Sequence, residues 1–343
     1  ILDDVTQRQV LEHVRRQLRT TWRLLTQELR SAGDVDLRTY LDQTGIELAD
    51  VLKNGRSFTQ LRRAAGFDTL EGGPLEADLL KRLKAFAHVD DRDRHAAYAT
   101  LLADDAPAYS RLDDLGQAWA RMLLFSLWPK AEAFSSFDEG LELLRGERSF
   151  RAEARAVLDW AIDRAEHVAR PLSGPLRRCP LRSHASYTRE ELYAGIGHAT
   201  IQRTPGNFRE GVLFTEHMGT DSLLITLQKS EDHFSPTTMY RDYAINSTLF
   251  HWESQSTTSQ ASPTGQRYLR QRDQGTDVLL YVRSGKTWEF GGGAPYTLLG
   301  QADYVEHRGD KPIAITWQLR RPMPPQILQE GRAVGRRASS GRR

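Results

Sequence analysis

The residues with the most chemistry to offer fall between Lys229 and Gln255. The run Lys229-Ser230-Glu231-Asp232-His233-Phe234-Ser235-Pro236-Thr237-Thr238-Met239-Tyr240-Arg241-Asp242-Tyr243 continues to Phe250-His251-Trp252-Glu253-Ser254-Gln255. It interleaves hydroxyls, amides, carboxylates and rings instead of separating an apolar face from a polar one. A pocket that holds an extruded nucleobase needs stacking faces together with donors and acceptors along the pairing edge. Tyr240, Tyr243, Phe250 and Trp252 can supply the faces, Asp242, Ser254 and Gln255 the edge contacts, and His251 lies in the same run. Residues 186–319 hold 16 of the chain's 30 aromatic residues, so flat surfaces are concentrated in this part. Each ring taken singly is at least as well explained by core packing.

Phosphate contacts would come from the basic residues around that run. Lys229, Arg241, Arg267, Arg270 and Arg272 are near it in sequence, and Arg189 and Arg203 precede it. The last three of the first group lie on or near one short helix, where an ordinary solvated face explains them equally well. Phosphate contacts position a protein on DNA and carry no sequence information by themselves.

Catalytic motifs are not found. Ser284-Gly285-Lys286-Thr287 resembles the end of a phosphate-binding loop, but Leu280 stands where that loop needs its first glycine. The turn-forming run Trp288-Glu289-Phe290-Gly291-Gly292-Gly293 follows it in place of a helix. The ten histidines are scattered with no His-Glu-x-x-His spacing, and Cys179 is the only cysteine. One chain therefore forms neither an internal disulfide nor a paired-thiolate zinc site. A nuclease-type strand with an acid two before a lysine meets Leu227-Gln228-Lys229, where the acid is missing. No catalytic residue, metal ligand or cofactor is expected in these residues.

The elements that would position these residues divide the chain by texture. Residues 1–175 read as successive helices: Val10, Leu11, Val14, Leu18, Trp22, Leu25 and Leu29 recur at helical spacing. Shorter helices are expected over 36–41, 46–52, 58–65, 76–89, 92–104, 108–127, 138–145 and 149–168. Three prolines and a glycine between Arg170 and Pro180 end that pattern, and a domain boundary is placed there. Strands follow over 211–216, 222–227, 248–252, 277–283, 296–305 and 312–317, with helices over 189–194 and 265–272. Their number and spacing favour a small curled sheet or barrel. The fold class read from this is α+β, an all-helical connector over 1–175 followed by a β-rich recognition domain over 183–319.

Charge is unevenly spread behind a net of +2. Residues 1–185 carry 28 Lys and Arg against 29 Asp and Glu, residues 186–319 carry 12 against 15, and residues 320–343 carry 7 against 1. Nucleic-acid binding must then come from a local patch. The basic tail from Arg320, with Pro322, Pro324 and Pro325, is expected to be disordered. The chain opens Ile1-Leu2-Asp3-Asp4 with no leader-like segment and reads as a piece of a longer protein. No apolar run approaches the ~18 residues of a membrane span, and one cysteine suits a reducing cytoplasm.

Residues 183–319 resemble a C-terminal domain carried by bacterial superfamily-two helicases, often behind a phospholipase-D-type nuclease. The resemblance lies in Ser186-Tyr187-Thr188-Arg189-Glu190-Glu191-Leu192, Lys229-Ser230-Glu231, Phe234-Ser235-Pro236-Thr237-Thr238-Met239-Tyr240 and Asp242-Tyr243-Ala244-Ile245. It continues in Phe250-His251-Trp252-Glu253-Ser254-Gln255, Ser262-Pro263-Thr264-Gly265, Pro295-Tyr296 and Leu299-Gly300. The resemblance implies the architecture of SauUSI-like type IV restriction enzymes, which are ATP-dependent and attack DNA carrying modified cytosine. It further implies an SRA- or PUA-like base-binding barrel that reads methylated or hydroxymethylated cytosine in double-stranded DNA by base flipping. The helicase and nuclease would lie elsewhere in the parent chain, leaving this part without enzymatic activity. A protein-interaction or regulatory role, or recognition of another modification, is the alternative.

Overall fold

The computed structural model describes residues 21–130, 133–205, 211–227 and 242–340, with the backbone alone over 335–340. The helical half begins with α1 (Trp22–Ala32), α2 (Leu37–Thr44), α3 (Leu48–Val51) and α4 (Phe58–Ala65). It continues with α5 (Glu76–Leu79), α6 (Arg92–Leu101), α7 (Asp114–Leu127), α8 (Phe137–Gly146) and α9 (Arg148–Ile162). Side-chain caps set several of the starts: Asp36, Ser57, Asp91, Asp113 and Ser136 each accept a backbone N–H two or three residues inside their helix. The expected helix over 76–89 is a short α-turn followed by a tighter 3-10 stretch, Leu80–Phe86. The apolar repeat from Val10 to Leu18 lies outside the described residues.

The β half contains short strands β1 (Arg170–Pro171), β2 (Arg182–Ser183) and β3 (Ser186–Tyr187), then α10 (Arg189–Gly195), β4 (Val212–Thr215) and β5 (Thr220–Thr226). After these come β6 (Tyr243–Ala244), β7 (Leu249–Glu253), α11 (Pro263–Leu269), α12 (Gln271–Gln274), β8 (Asp277–Arg283), β9 (Tyr296–Arg308), β10 (Ala314–Leu319) and α13 (Pro325–Ser340). The main sheet runs β4-β5-β8-β9-β10-β7-β6, with β3 paired to β9. All its pairings are antiparallel except β5 with β8. All six longer strands fall where the sequence places them. Among the described residues the strand path is open, ending at β4 and β6, and does not close into a barrel.

The parallel pair explains how the halves fit together. Every residue of β5 is buried, as are the first six of β8, which is the pattern of strands covered on both faces. One face, with Leu224, Leu279, Tyr281 and Leu298, joins the core of the helical half, including Phe86, Leu123 and Phe150. The other face, with Leu223, Ile225, Val278, Leu280 and Val282, faces a second core built with Phe250, Trp252, Tyr268, Ile315 and Trp317. The proline-rich segment is part of this packing. Leu172, Leu176 and Cys179 bury in the first core, and the Ser173 hydroxyl donates to Gln301 Oε1 on β9 at 2.7 Å.

A buried ionic network fastens α10 to the helices. Thr188 and Glu191 form a reciprocal capping box at the start of α10. The same Glu191 carboxylate accepts from Arg94 at 3.1 Å and Tyr98 at 2.9 Å, and lies 2.5 Å from His88 Nε2. Burial works against its charge, but His88 and Arg94 outweigh that and hold its pKa down to about 2. Arg94 also pairs with Asp90 and Asp91 and lies over the Tyr187 ring at 4.4 Å.

The C-terminal segment corrects one expectation. Residues Pro325–Ser340 form a helix, and Met323, Ile327, Leu328 and Val334 pack on the second core. Apolar residues at helical spacing give the segment a face to bury, which outweighs its charge and prolines as a signal of disorder.

Candidate nucleic-acid interface

Strand β7 alternates strictly: Phe250 and Trp252 point one way, Leu249, His251 and Glu253 the other. The register then places Tyr243 of β6, His251 of β7, Thr316 of β10 and Glu306 of β9 in one row across the sheet face away from the second core. Glu253, Ala314 and Gln318 adjoin that row on the same face. Tyr243 and His251 stack with ring centroids 4.6 Å apart and planes 27° from parallel. Both are partly buried, with the His251 side chain 19% exposed. His251 Nε2 lies 4.0 Å from Glu253 Oε1. A flat π surface, an imidazole, a carboxylate and a threonine thus share one face.

The expected base-pocket residues divide accordingly. Tyr243 and His251 form the stack. Phe250 and Trp252 are core: Trp252 meets Tyr268 edge-on at 5.4 Å, and Phe250 is fully buried. Asp242 is buried and accepts the Glu253 backbone N–H at 3.0 Å, which ties the approach to β6 onto β7. Ser254 is buried and exchanges two hydrogen bonds with the Ile313 backbone, so it is a strand-joining residue. The Gln255 carbonyl accepts from Thr258 in the following turn. Tyr240 lies outside the described residues.

The expected phosphate-binding residues are less united. Arg267 makes two hydrogen bonds to buried Asp221, at 2.6 and 2.9 Å, and lies 3.9 Å from the Phe214 ring centroid. That pair locks α11 to β5, and burial raises the Asp221 pKa even with the guanidinium beside it. Arg270 and Arg272 are exposed near α11 and α12, and Arg203 is exposed with its Nε donating to the His198 carbonyl. Lys229 and Arg241 lie outside the described residues. Arg189 is at the opposite end of the sheet, close to Tyr296 and Arg283.

Sequence reasoning missed Glu253, Thr316 and Ala314 as members of the face. The alternation in 248–253 and 314–319 marks two faces for each strand but not which face is inward, nor that β7 and β10 are neighbours. It also missed Arg82 and Lys84, which line one cleft, and Arg283, which reaches the same glycine turn from a distant part of the chain. No metal-ligating cluster of three or more His, Cys, Asp or Glu side chains occurs among the described residues. No described helix is long and apolar enough to cross a membrane.

Residues 181–330 match the family described as a domain of unknown function, DUF3427. No curated protein matches the chain at a significant level.

Proposed function

We propose that the β half is the target-reading part of an ATP-dependent, modification-dependent restriction enzyme of the SauUSI-like kind, and that it binds double-stranded DNA containing modified cytosine. The observation that carries this reading is the Tyr243–His251 stack beside Glu253 and Thr316 on a partly buried sheet face. A flipped base needs a stacking platform and edge partners. A carboxylate accepts from the cytosine exocyclic amine, a role open to Glu253, while Ala314 and the threonine methyl offer apolar neighbours to a 5-methyl group.

We further propose that the β half is related to SRA- and PUA-like base-binding barrels. The support for this is a pair of register shifts, between Leu280 and Tyr281 and between Thr316 and Trp317, of the kind that bends strands. On this reading the chain works with helicase and nuclease parts of the same parent protein in the cytoplasm, in defence against phage DNA. Those parts supply ATP hydrolysis and cutting; this one reads the base without a cofactor or catalysis of its own.

A bandshift with matched duplexes, one carrying 5-methylcytosine or 5-hydroxymethylcytosine and one plain, tests the proposal. The parent chain should prefer the modified duplex. Removing a ring from the platform costs about 1–3 kcal/mol, roughly ten-fold or more in affinity, and should fall mainly on the modified duplex. Equal binding of the two duplexes by the parent chain rejects the reading.

A further inference from the structure

A second cluster of charge lies between the halves, at the end of the sheet where β8 stops and β9 starts. Arg82 and Lys84, from the 3-10 stretch before α6, line a cleft of about 170 Å³ together with Thr188, Glu190, Trp288 and the Gly291–Gly293 turn. Lys84 Nζ donates to the Gly291 carbonyl at 2.8 Å, and Arg82 Nε donates to the Leu127 carbonyl at 3.2 Å. Arg283 reaches the same turn: its Nη1 donates to the Ala294 carbonyl and its Nε to Thr226 Oγ1. A methyl group added to Gly292 would stand 3.4 Å from Lys84 Nζ, and one added to Gly293 3.8 Å from Arg283 Nη1. Those two cations therefore flank adjacent residues of one turn, and Arg189 is close enough to act electrostatically on Arg283.

The cluster is under-compensated. Arg82, Lys84 and Arg283 have neutral hydrogen-bond acceptors and no carboxylate within ion-pair distance among the described residues. Among the described residues Glu190 is the one carboxylate in the cleft lining, and it acts on Arg82 from longer range. Burial lowers the pKa of all three cations; Arg82 adds to the effect on Lys84, and Arg189 to that on Arg283. Partly buried positive charge without a paired anion is costly to fold. An incoming anion relieves that cost, and two cations lining one cleft favour an anion with several oxygens.

We infer that this cleft is a phosphate-binding site, occupied in the working protein by a phosphate of the DNA backbone. The choice of DNA as the source rests on the function proposed above, whereas the anion chemistry does not. The site lies apart from the Tyr243–His251 platform and fixes the duplex without reading it, as backbone contacts do. Its lining cations, Arg82 and Lys84, come from the helical half, and Thr188, Trp288 and the glycine turn come from the β half, so an anion here would touch both.

The test uses the full chain, Lys84→Gln and Arg82→Gln, with folding checked by circular dichroism. Inorganic phosphate should raise the melting temperature of the parent chain and raise it less in either variant. Plain-duplex affinity should decline with salt, and each variant should lower that logarithmic slope by about 1 while leaving the ratio of modified to plain binding unchanged. Thermal protection by phosphate without any change of DNA slope keeps the anion site and removes DNA as its source. No protection of the parent chain by phosphate, together with unchanged slopes in a folded variant, overturns the inference. The parent measurement stands even if Lys84→Gln loses the Gly291 contact and unfolds. Loss of the modified-to-plain ratio in the parent chain would reject the base-reading proposal without touching this one.

Discussion

Trp252 and His251 are neighbours in sequence with opposite duties. Trp252→Ala should destabilise the fold by about 3–5 kcal/mol, the range for removing a buried large aromatic, seen as a lowered midpoint in urea unfolding. His251→Ala and Tyr243→Ala should leave that midpoint nearly in place and lose affinity for modified DNA. A second residue-scale prediction concerns His184, a buried histidine with a φ of 69°. Burial, with Arg321 and His167 adding positive charge, pushes its pKa down to about 4 from 6.5. The unfolded chain therefore binds the extra proton first as pH falls from 6.5 toward 4, and stability declines through that window. Glu191 adds its own loss only below about pH 4.5, where the unfolded carboxylate begins to protonate. Urea unfolding at pH 7 and pH 5 should show the decline, and His184→Asn, which tolerates a left-handed backbone, should reduce it.

Element-scale stability centres on α10. Its N-terminal box is a local feature, but Glu191 also receives Arg94, Tyr98 and His88 from the helical half. Replacing Glu191 with Ala leaves buried Arg94 with Asp90 and Asp91 alone and removes the acceptor for Tyr98 and the partner of His88. Breaking a buried pair in this way costs about 3–5 kcal/mol. Glu191→Gln keeps the shape and one acceptor and should cost less; equal midpoints for the parent and Glu191→Ala in urea unfolding would contradict this account. The helix that follows Thr188 was legible, because helix signals are local. The partners 93 to 103 residues upstream were not, because no local period announces them.

For the whole molecule, the change of texture at 170–180 coincides with the change from helices to strands, yet one hydrophobic core crosses it. The family match begins at residue 181, after Leu172, Leu176 and Cys179 have already packed into that core. A fragment of residues 181–343 would expose Leu224, Leu279, Tyr281 and Leu298 along one sheet face. It should be insoluble or lack cooperative unfolding, as measured by sedimentation and thermal melting, while the full chain melts as a unit. A soluble, cooperatively folding fragment would show that this face can be closed without the helices.

Local pattern was enough to place most of the described helices of the first half and the six longer strands. Helical and strand periods, caps and breakers act within a few residues, so they are legible along the chain. The open strand order, the parallel β5–β8 contact and the two-residue strands depend on partners far away in sequence. So do the roles of the rings: the sequence reading placed Phe250, His251 and Trp252 in one candidate pocket, and only packing in the second core, with Trp252 against Tyr268 and Trp317, decided that Phe250 and Trp252 are core. The Arg82–Lys84–Arg283 cluster is the extreme case. Its members are unremarkable in sequence, and only the meeting of a 3-10 turn with the end of β8 makes them a site, since Coulomb interaction depends on distance in space and not on separation along the chain.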